Sequence, residues 1–304
     1  MKQTALILSA CLVGSSLAAQ DKPARPKITG IDHVRIYASD MDRSDAFYGK
    51  TLQLHSSDYL CASKSRSCFL ISWSPTQYVE LEQTPLPAPK NWLAEVAFAT
   101  DDIAQMRRYL MVHGASAGPI SRKDVYGVQH FEMHDPEGNP IAFVQRSKPI
   151  PVDDPSPSDL VGARLLHAGF VVKDLAVENR FYMDLLGFRL YWHGGFKDQD
   201  TDWYEIQVPD GDNWIEYMLN IPANADHKDL GVQNHFSLGV KDAKAAAAQL
   251  RKNGLQEFDG PEIGRDGKNS LDAYDPDGTR VEIMEFTPTQ KPCCHPYTAP
   301  HPKP

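Results

Sequence analysis

This chain repeats itself, and the repeat restricts its fold more than any other feature. His33 and the pair Phe47-Tyr48 recur as His167 and Phe181-Tyr182 at a constant offset of 134 residues. The turn Asp135-Pro136-Glu137-Gly138 recurs as Asp275-Pro276-Asp277-Gly278 at an offset of 140. An internal duplication is the simplest account, and it predicts two modules of one architecture rather than one large core. At 304 residues there is chain enough for both. Pro149–Pro157, with its Asp153-Asp154 pair, breaks the composition between the copies and reads as a linker. The expected boundaries are a first module over 28–146, a linker over 147–162, a second module over 163–287 and a Pro-rich tail over 288–304.

Within each module the apolar pattern runs β-α-β-β-β, then β-α-β-β-β again. Ile28–Ala38 and Ala163–Val172 alternate as strands. Ser39 or Asp40 in the first copy and Asp174 in the second stand where a helix cap is needed, ahead of the Phe-Tyr pairs. Ser67–Trp73, Gln77–Glu82 and Trp92–Ala99 read as strands, and Asp101–His113 as a second helix. In the second copy Trp203–Val208 and Asn213–Leu219 form a hairpin around Pro209-Asp210-Gly211-Asp212. Asn234–Val240, an Ala-rich helix ending at Gly254, and Arg280–Phe286 follow.

Residues 1–20 have the form of a secretory leader: Lys2, an apolar run from Ala5 to Leu17, then Ala18-Ala19. That run is short for a membrane span, so export to a periplasm or beyond is the expectation. A formal net charge of −9 leaves no basic stripe for nucleic acid, and no basic amphipathic helix suits an anionic membrane. A small-molecule substrate is the expected partner, and a homodimer stays open. Of the five cysteines, Cys11 leaves with the leader, and Cys61 and Cys68 are candidates to pair in an oxidising compartment. Cys293-Cys294-His295 lies in the tail, where Pro-rich composition predicts a solvated segment rather than a packed one.

The chemistry-bearing residues are spaced like the modules themselves. After His167 come Glu216, His235 and Glu282, at intervals of 49, 19 and 47 residues. Alternation puts Glu216 on one strand face with Trp214 and Met218, and Glu282 with Arg280 and Met284. Four such residues on four strands of a curled sheet can converge on one point. Two imidazoles and two carboxylates suit a borderline divalent ion: zinc, nickel, manganese or iron(II). Such an ion would leave positions for a substrate presenting two oxygens and would stabilise developing oxyanion charge. Trp214, in phase with Glu216, and Trp203 are candidates to line the substrate pocket.

The ligand order, the spacing, the Phe-Tyr helices and the Asp-Pro-Asp-Gly turn before Glu282 together resemble the vicinal oxygen chelate superfamily. Its members include glyoxalase I, methylmalonyl-CoA epimerase, extradiol ring-cleaving dioxygenases and fosfomycin- or bleomycin-resistance proteins. The resemblance spans about residues 28–146 and 163–286. It implies an α+β fold of two tandem modules, each a pair of βαβββ units curled around a cleft. The order His167, Glu216, His235, Glu282 is similar to glyoxalase I, which implies that Glu282 or Glu216 doubles as the base beside a metal-bound carbonyl.

Two modules, one of them degenerate, also resemble the extradiol dioxygenases, whose ligands would be His167, His235 and Glu282. That reading leaves Glu216 unused and finds no histidine in Gly264–Asp272. The first module aligns His33, Glu80 and Glu95 with His167, Glu216 and His235, but places Ala142 against Glu282. It is expected to shape the cleft rather than to hold a metal. Proton transfer in the lyase, isomerase or epimerase manner therefore ranks first and iron(II) oxygenation second. A non-catalytic small-molecule binder is the third reading.

Overall fold

The computed structural model describes residues 23–57, 65–71, 77–150 and 161–304, and in them the chain forms two curled mixed sheets. The first contains β1 (Ile28–Ala38), β2 (His55–Ser56), β3 (Arg66–Leu70), β4 (Tyr78–Gln83), β5 (Leu93–Thr100), β6 (Val128–His134) and β7 (Pro140–Arg146), in the order β2-β3-β4-β1-β5-β7-β6. The second contains β8 (Arg164–Val171), β9 (Arg189–Gly194), β10 (Trp203–Gln207), β11 (Trp214–Met218), β12 (Phe236–Val240), β13 (Asp259–Ile263), β14 (Asn269–Tyr274) and β15 (Arg280–Glu285), in the order β13-β14-β15-β12-β8-β11-β10-β9. The leader, Cys61, Trp73 and residues 151–160 of the linker lie outside the described residues.

Both sheets follow one plan. A central antiparallel pair, β1 with β5 or β8 with β12, is flanked by parallel neighbours, β4 and β7 or β11 and β15. Parallel neighbours need a crossover, and α1 (Met41–Ala46), α2 (Ile103–Val112), α3 (Leu175–Asn179) and α5 (Ala243–Lys252) lie in those connections. Asp40 and Asp174 cap α1 and α3, accepting from Arg43 N–H and from the Ala176 and Val177 N–H groups. Each of those helices runs on into a π-helical turn, Phe47–Thr51 and Arg180–Leu185, which carries the Phe-Tyr pair.

The copies differ in two places that the sequence pattern does not announce. In the second unit of the first module one expected strand shrinks to a single bridge, Ala117 to Met133, so the first sheet has seven strands and not eight. In the second module a short helix, α4 (His227–Gln233), precedes β12, capped by Asp226 through Asp229 N–H. Its seven residues show no apolar periodicity, which is why the pattern passes over it.

Alternation along each strand separates a core face from a concave face. Val34, Ile36, Val79 and Leu81 enter one core shared with Ala168, Phe170, Ile215 and Tyr217, while His33, Arg35 and Glu80 take the other phase. The repeated motifs lock the modules together reciprocally. Tyr48 O–H donates to Asp275 of the second module at 3.1 Å, and Tyr182 O–H donates to Asp135 of the first at 3.2 Å. Gln77 and Asn213 form a second reciprocal clamp. Gln77 accepts from Leu165 N–H and donates to Ile31 C=O, while Asn213 accepts from Ile31 N–H and donates to Leu165 C=O. Asn213→Ala would leave the Ile31 N–H and the Leu165 C=O each short of this buried partner, so urea denaturation should show a loss of about 3 kcal/mol. A change within noise would mean that the clamp is not formed in solution.

The tail corrects an expectation. Instead of a solvated segment, it packs over β9 and the β13–β14 turn. Thr298 N–H donates to Tyr191 C=O at 2.9 Å, Trp192 Nε1–H to His295 C=O at 3.1 Å, and Tyr297 O–H to Asp266 at 3.1 Å. The Tyr297 ring lies 4.7 Å from that of Tyr191. Aromatic area gained against the sheet offsets the ordering of a segment that proline has already stiffened. Cys293 and Cys294 are joined to each other in a vicinal disulfide, which removes both thiolates as ligands for a soft metal.

Candidate metal centre

His167 on β8, Glu216 on β11, Glu282 on β15 and His235 just ahead of β12 meet on the concave face of the second sheet. His167 Nε2 lies 3.1 Å from His235 Nε2, 3.2 Å from Glu282 Oε2 and 3.8 Å from Glu216 Oε2, and His235 Nε2 lies 3.3 Å from Glu216 Oε2. Two ligands of one metal at ordinary bond lengths of ~2.1 Å stand roughly 3 Å apart when adjacent, so these donors already have the spacing that a divalent ion requires. All four side chains are buried. Burial pushes the His167 imidazole down to about 3, and burial together with Arg280 pushes His235 well down, so both rings are neutral donors. Burial pushes the Glu282 carboxyl up, against the pull of Arg280.

Local structure explains why the donors converge. His235 and Gly169 exchange backbone hydrogen bonds, which holds the imidazole across β8. A Cβ on Gly169 would fall far inside contact distance of the His235 ring, so the glycine creates the space that the ligand fills. His235 Nδ1–H, donating to Gln233 C=O at 3.0 Å, leaves the Nε2 lone pair facing the centre. Trp214 lies beneath His167 with ring centroids 4.8 Å apart. Trp203 stands at the rim, 4.6 Å from the exposed Phe196 ring.

Three side chains escaped the sequence reading. Arg280 Nη2 lies 2.9 Å from both ring nitrogens of His235, and its Nη1 lies 3.5 Å from Asp272. The strand phase it shares with Glu282 was visible, but nothing in it foretold a guanidinium beside an imidazole. Lys268 and Glu205 are also fully buried in this cup. Lys268 sits after a glycine turn with no motif to mark it.

The first module brings His33, Glu80 and Glu95 together in the same way. His33 Nε2 is 3.4 Å from Glu95 and 3.9 Å from Glu80. Here, however, Arg35 stands where the second module has Gly169. Its guanidinium lies 3.2 Å from Glu80 and 3.1 Å from Glu95, taking up the carboxylates as a tethered cation. Arg66 adds a 2.8 Å bond to Glu80, and Arg146 holds Asp32 through two bonds of 2.6 and 2.7 Å. A cavity of about 610 Å³ opens over this network.

The network sets a pH dependence. Burial pushes the Asp32 carboxyl up, but Arg146 and His33 more than offset that and hold it below the usual range. Glu95 is lowered against burial by His33 and Arg35, and His33 is raised against burial by Asp32 and Glu95. The depressed acids contribute stability above their ordinary range that is lost as pH falls through their folded values. The raised imidazole contributes stability below its ordinary 6.5 that is lost as pH rises through its folded value. Urea midpoints of the metal-free chain should therefore peak between about pH 5 and 6.5 and fall on both sides, and His33→Phe should flatten the alkaline side. An unaltered alkaline side in that variant would count against a charged His33.

The sequence pattern of the Glyoxalase/Bleomycin resistance protein/Dioxygenase superfamily matches residues 30–143 and 164–283, and the chain belongs to that superfamily. Among solved structures, homoprotocatechuate 2,3-dioxygenase from Brevibacterium fuscum superposes with a TM-score of 0.67 at 20% identity, over 92% of this chain and 84% of that one. The homologous enzyme from Arthrobacter globiformis gives 0.66 at 18%, over 86% and 80%. A Mn(II)-bound glyoxalase from Novosphingobium aromaticivorans gives 0.66 at 17%, over 86% and 83%. At these identities the likeness is one of fold. No curated protein matches the chain in sequence.

Proposed function

We propose that this protein is a metal-dependent enzyme of the superfamily that moves a proton on a small substrate bearing adjacent oxygen donors. His167, Glu216, His235 and Glu282 hold the ion, which when bound acts as a Lewis acid on the substrate oxygens. The observation that carries the reading is the approach of Glu216 to both imidazoles, which completes a set of two histidines and two carboxylates. Glu282 and Glu216 approach from opposite sides, on β15 and β11, and one of them takes the proton. The Trp214 face beneath His167 gives a planar substrate a surface to lie on and keeps water from one side. Arg280 pairs with the negative charge that develops when the proton leaves. The leader-like residues 1–20 place this activity outside the cytoplasm.

A second reading is iron(II)-dependent ring cleavage. It is favoured by the compact trio of His167, His235 and Glu282, whose donor atoms all lie within 4.8 Å of one another, and by the dioxygenases among the structural neighbours. Elemental analysis of chelator-free protein separates the two. Zinc, nickel or manganese with solvent-deuterium exchange into a 2-oxo substrate supports proton transfer; iron with oxygen uptake on catechols overturns it. Glu282→Gln and Glu216→Gln identify the base, whose loss should slow exchange about 10³-fold in the variant that still holds metal.

A further inference from the structure

The second cup contains two buried polar groups that the metal centre does not use. Lys268 is 0% exposed, and its ammonium faces the rings of Trp214 at 4.2 Å, Tyr191 at 5.1 Å and Tyr297 at 5.3 Å. Asp266, the nearest carboxylate, is 3.7 Å away, beyond hydrogen-bond reach, and is already engaged by Tyr297 O–H and the Lys268 backbone N–H. Met284 Sδ, also at 3.7 Å, completes the surroundings. Among the described residues no oxygen accepts a hydrogen bond from this ammonium. Glu205, opposite Glu216 in the β10–β11 ladder, is buried too, and its Oε2 has no partner. Aromatic faces recover part of the cost of burying a cation, but an apolar side chain would fill the same space at none.

The position of Lys268 relates it to the metal centre. Ser270 and Asp272 of β14 pair with Met284 and Glu282 of β15, and Lys268 continues that alternation past the strand's end. Met284 follows Glu282 by one pleat repeat, so the ammonium stands roughly 7 Å along the strand from the metal ligands. The Trp214 indole fills the interval, with His167 on one side and Lys268 on the other. Over Lys268 lies Tyr297 of the tail, only half-buried and therefore the one ring of the three that can swing toward solvent.

We propose that Lys268 anchors a carboxylate of the substrate, which is therefore a small acid carrying its oxygen donors about one ring's width from that carboxylate. This rests on the reading of the metal centre given above. Tyr297 covers the anchor in the ligand-free protein and turns aside as the acid enters.

Benzoate and benzamide, the same ring with and without a charge, are the probes, titrated calorimetrically into the full chain with and without metal. Tyr297→Ala should bind benzoate about tenfold tighter than benzamide in both states, and the wild type should show the same preference at lower affinity. Lys268→Met should abolish the preference, and Lys268→Arg should keep part of it. Equal binding of the two probes in Tyr297→Ala, or no binding of either, overturns the anchor, as does a preference that survives Lys268→Met. 3,4-Dihydroxybenzoate should gain over benzoate only in the metal-loaded chain. Absence of that gain with the benzoate preference intact would overturn the metal reading and leave the anchor standing.

Discussion

Gly169→Ala should strip the metal from this protein without altering a ligand. The added Cβ would overlap the His235 ring, with even Nε2 only 3.1 Å away, and such contacts must be relieved. The imidazole has little room to retreat. Its backbone is paired to Gly169 itself, its Nδ1–H is fixed on Gln233 C=O, and Arg280 lies against it at 2.9 Å. Relief comes by rotating the ring off the centre, which removes one of the two neutral nitrogen donors. Metal affinity should fall by about 100-fold or more, while overpacking costs about 1–3 kcal/mol of stability. A metal titration of the variant beside the wild type decides it, with circular dichroism to show that the sheet survives. Unchanged affinity would mean that His235 does not bind through the geometry seen here.

Much of this architecture was legible because duplication writes each constraint twice. The Phe-Tyr pairs and the Asp-Pro turns stood out as repeats, and the reciprocal Tyr48–Asp275 and Tyr182–Asp135 bonds give the physical reason that both copies keep them. The ligand phases were legible for the same reason: strand periodicity fixes the face of Glu216 and Glu282 once the strands are placed. What stayed hidden depends on contacts between elements distant in sequence. The tail reads as disordered by composition, and only the aromatic surface of Tyr191 and Trp192 makes it pack. Lys268 carries no signal because its burial is created by that same tail. Arg35 was placed on the face of His33, yet its meaning appears only when Gly169 is seen at the matching position of the other sheet.

That match leads to the second large effect. Arg35→Gly should turn the first module into a metal site. The guanidinium now lies between Glu80 and Glu95, where a divalent ion would sit, and glycine restores the opening that Gly169 provides in the second module. Three donors remain: Glu80, Glu95 and His33, whose Nδ1–H is held by Asp32 at 2.8 Å so that Nε2 faces the opening. Without metal the variant should lose about 3–5 kcal/mol, because two buried carboxylates lose a shared cation and only Arg66 and His33 remain beside them. Added zinc should restore much of that loss in proportion to its binding, and the variant should hold one more ion per chain than the wild type. Ala142→Glu in the same background, supplying the residue that Glu282 provides in the second sheet, should tighten the new site further. Urea denaturation with and without zinc, read beside elemental analysis, tests each step. A variant that is destabilised yet gains neither ion nor rescue would show that Arg35 is an ordinary ion-pair partner and not the occupant of a former metal position.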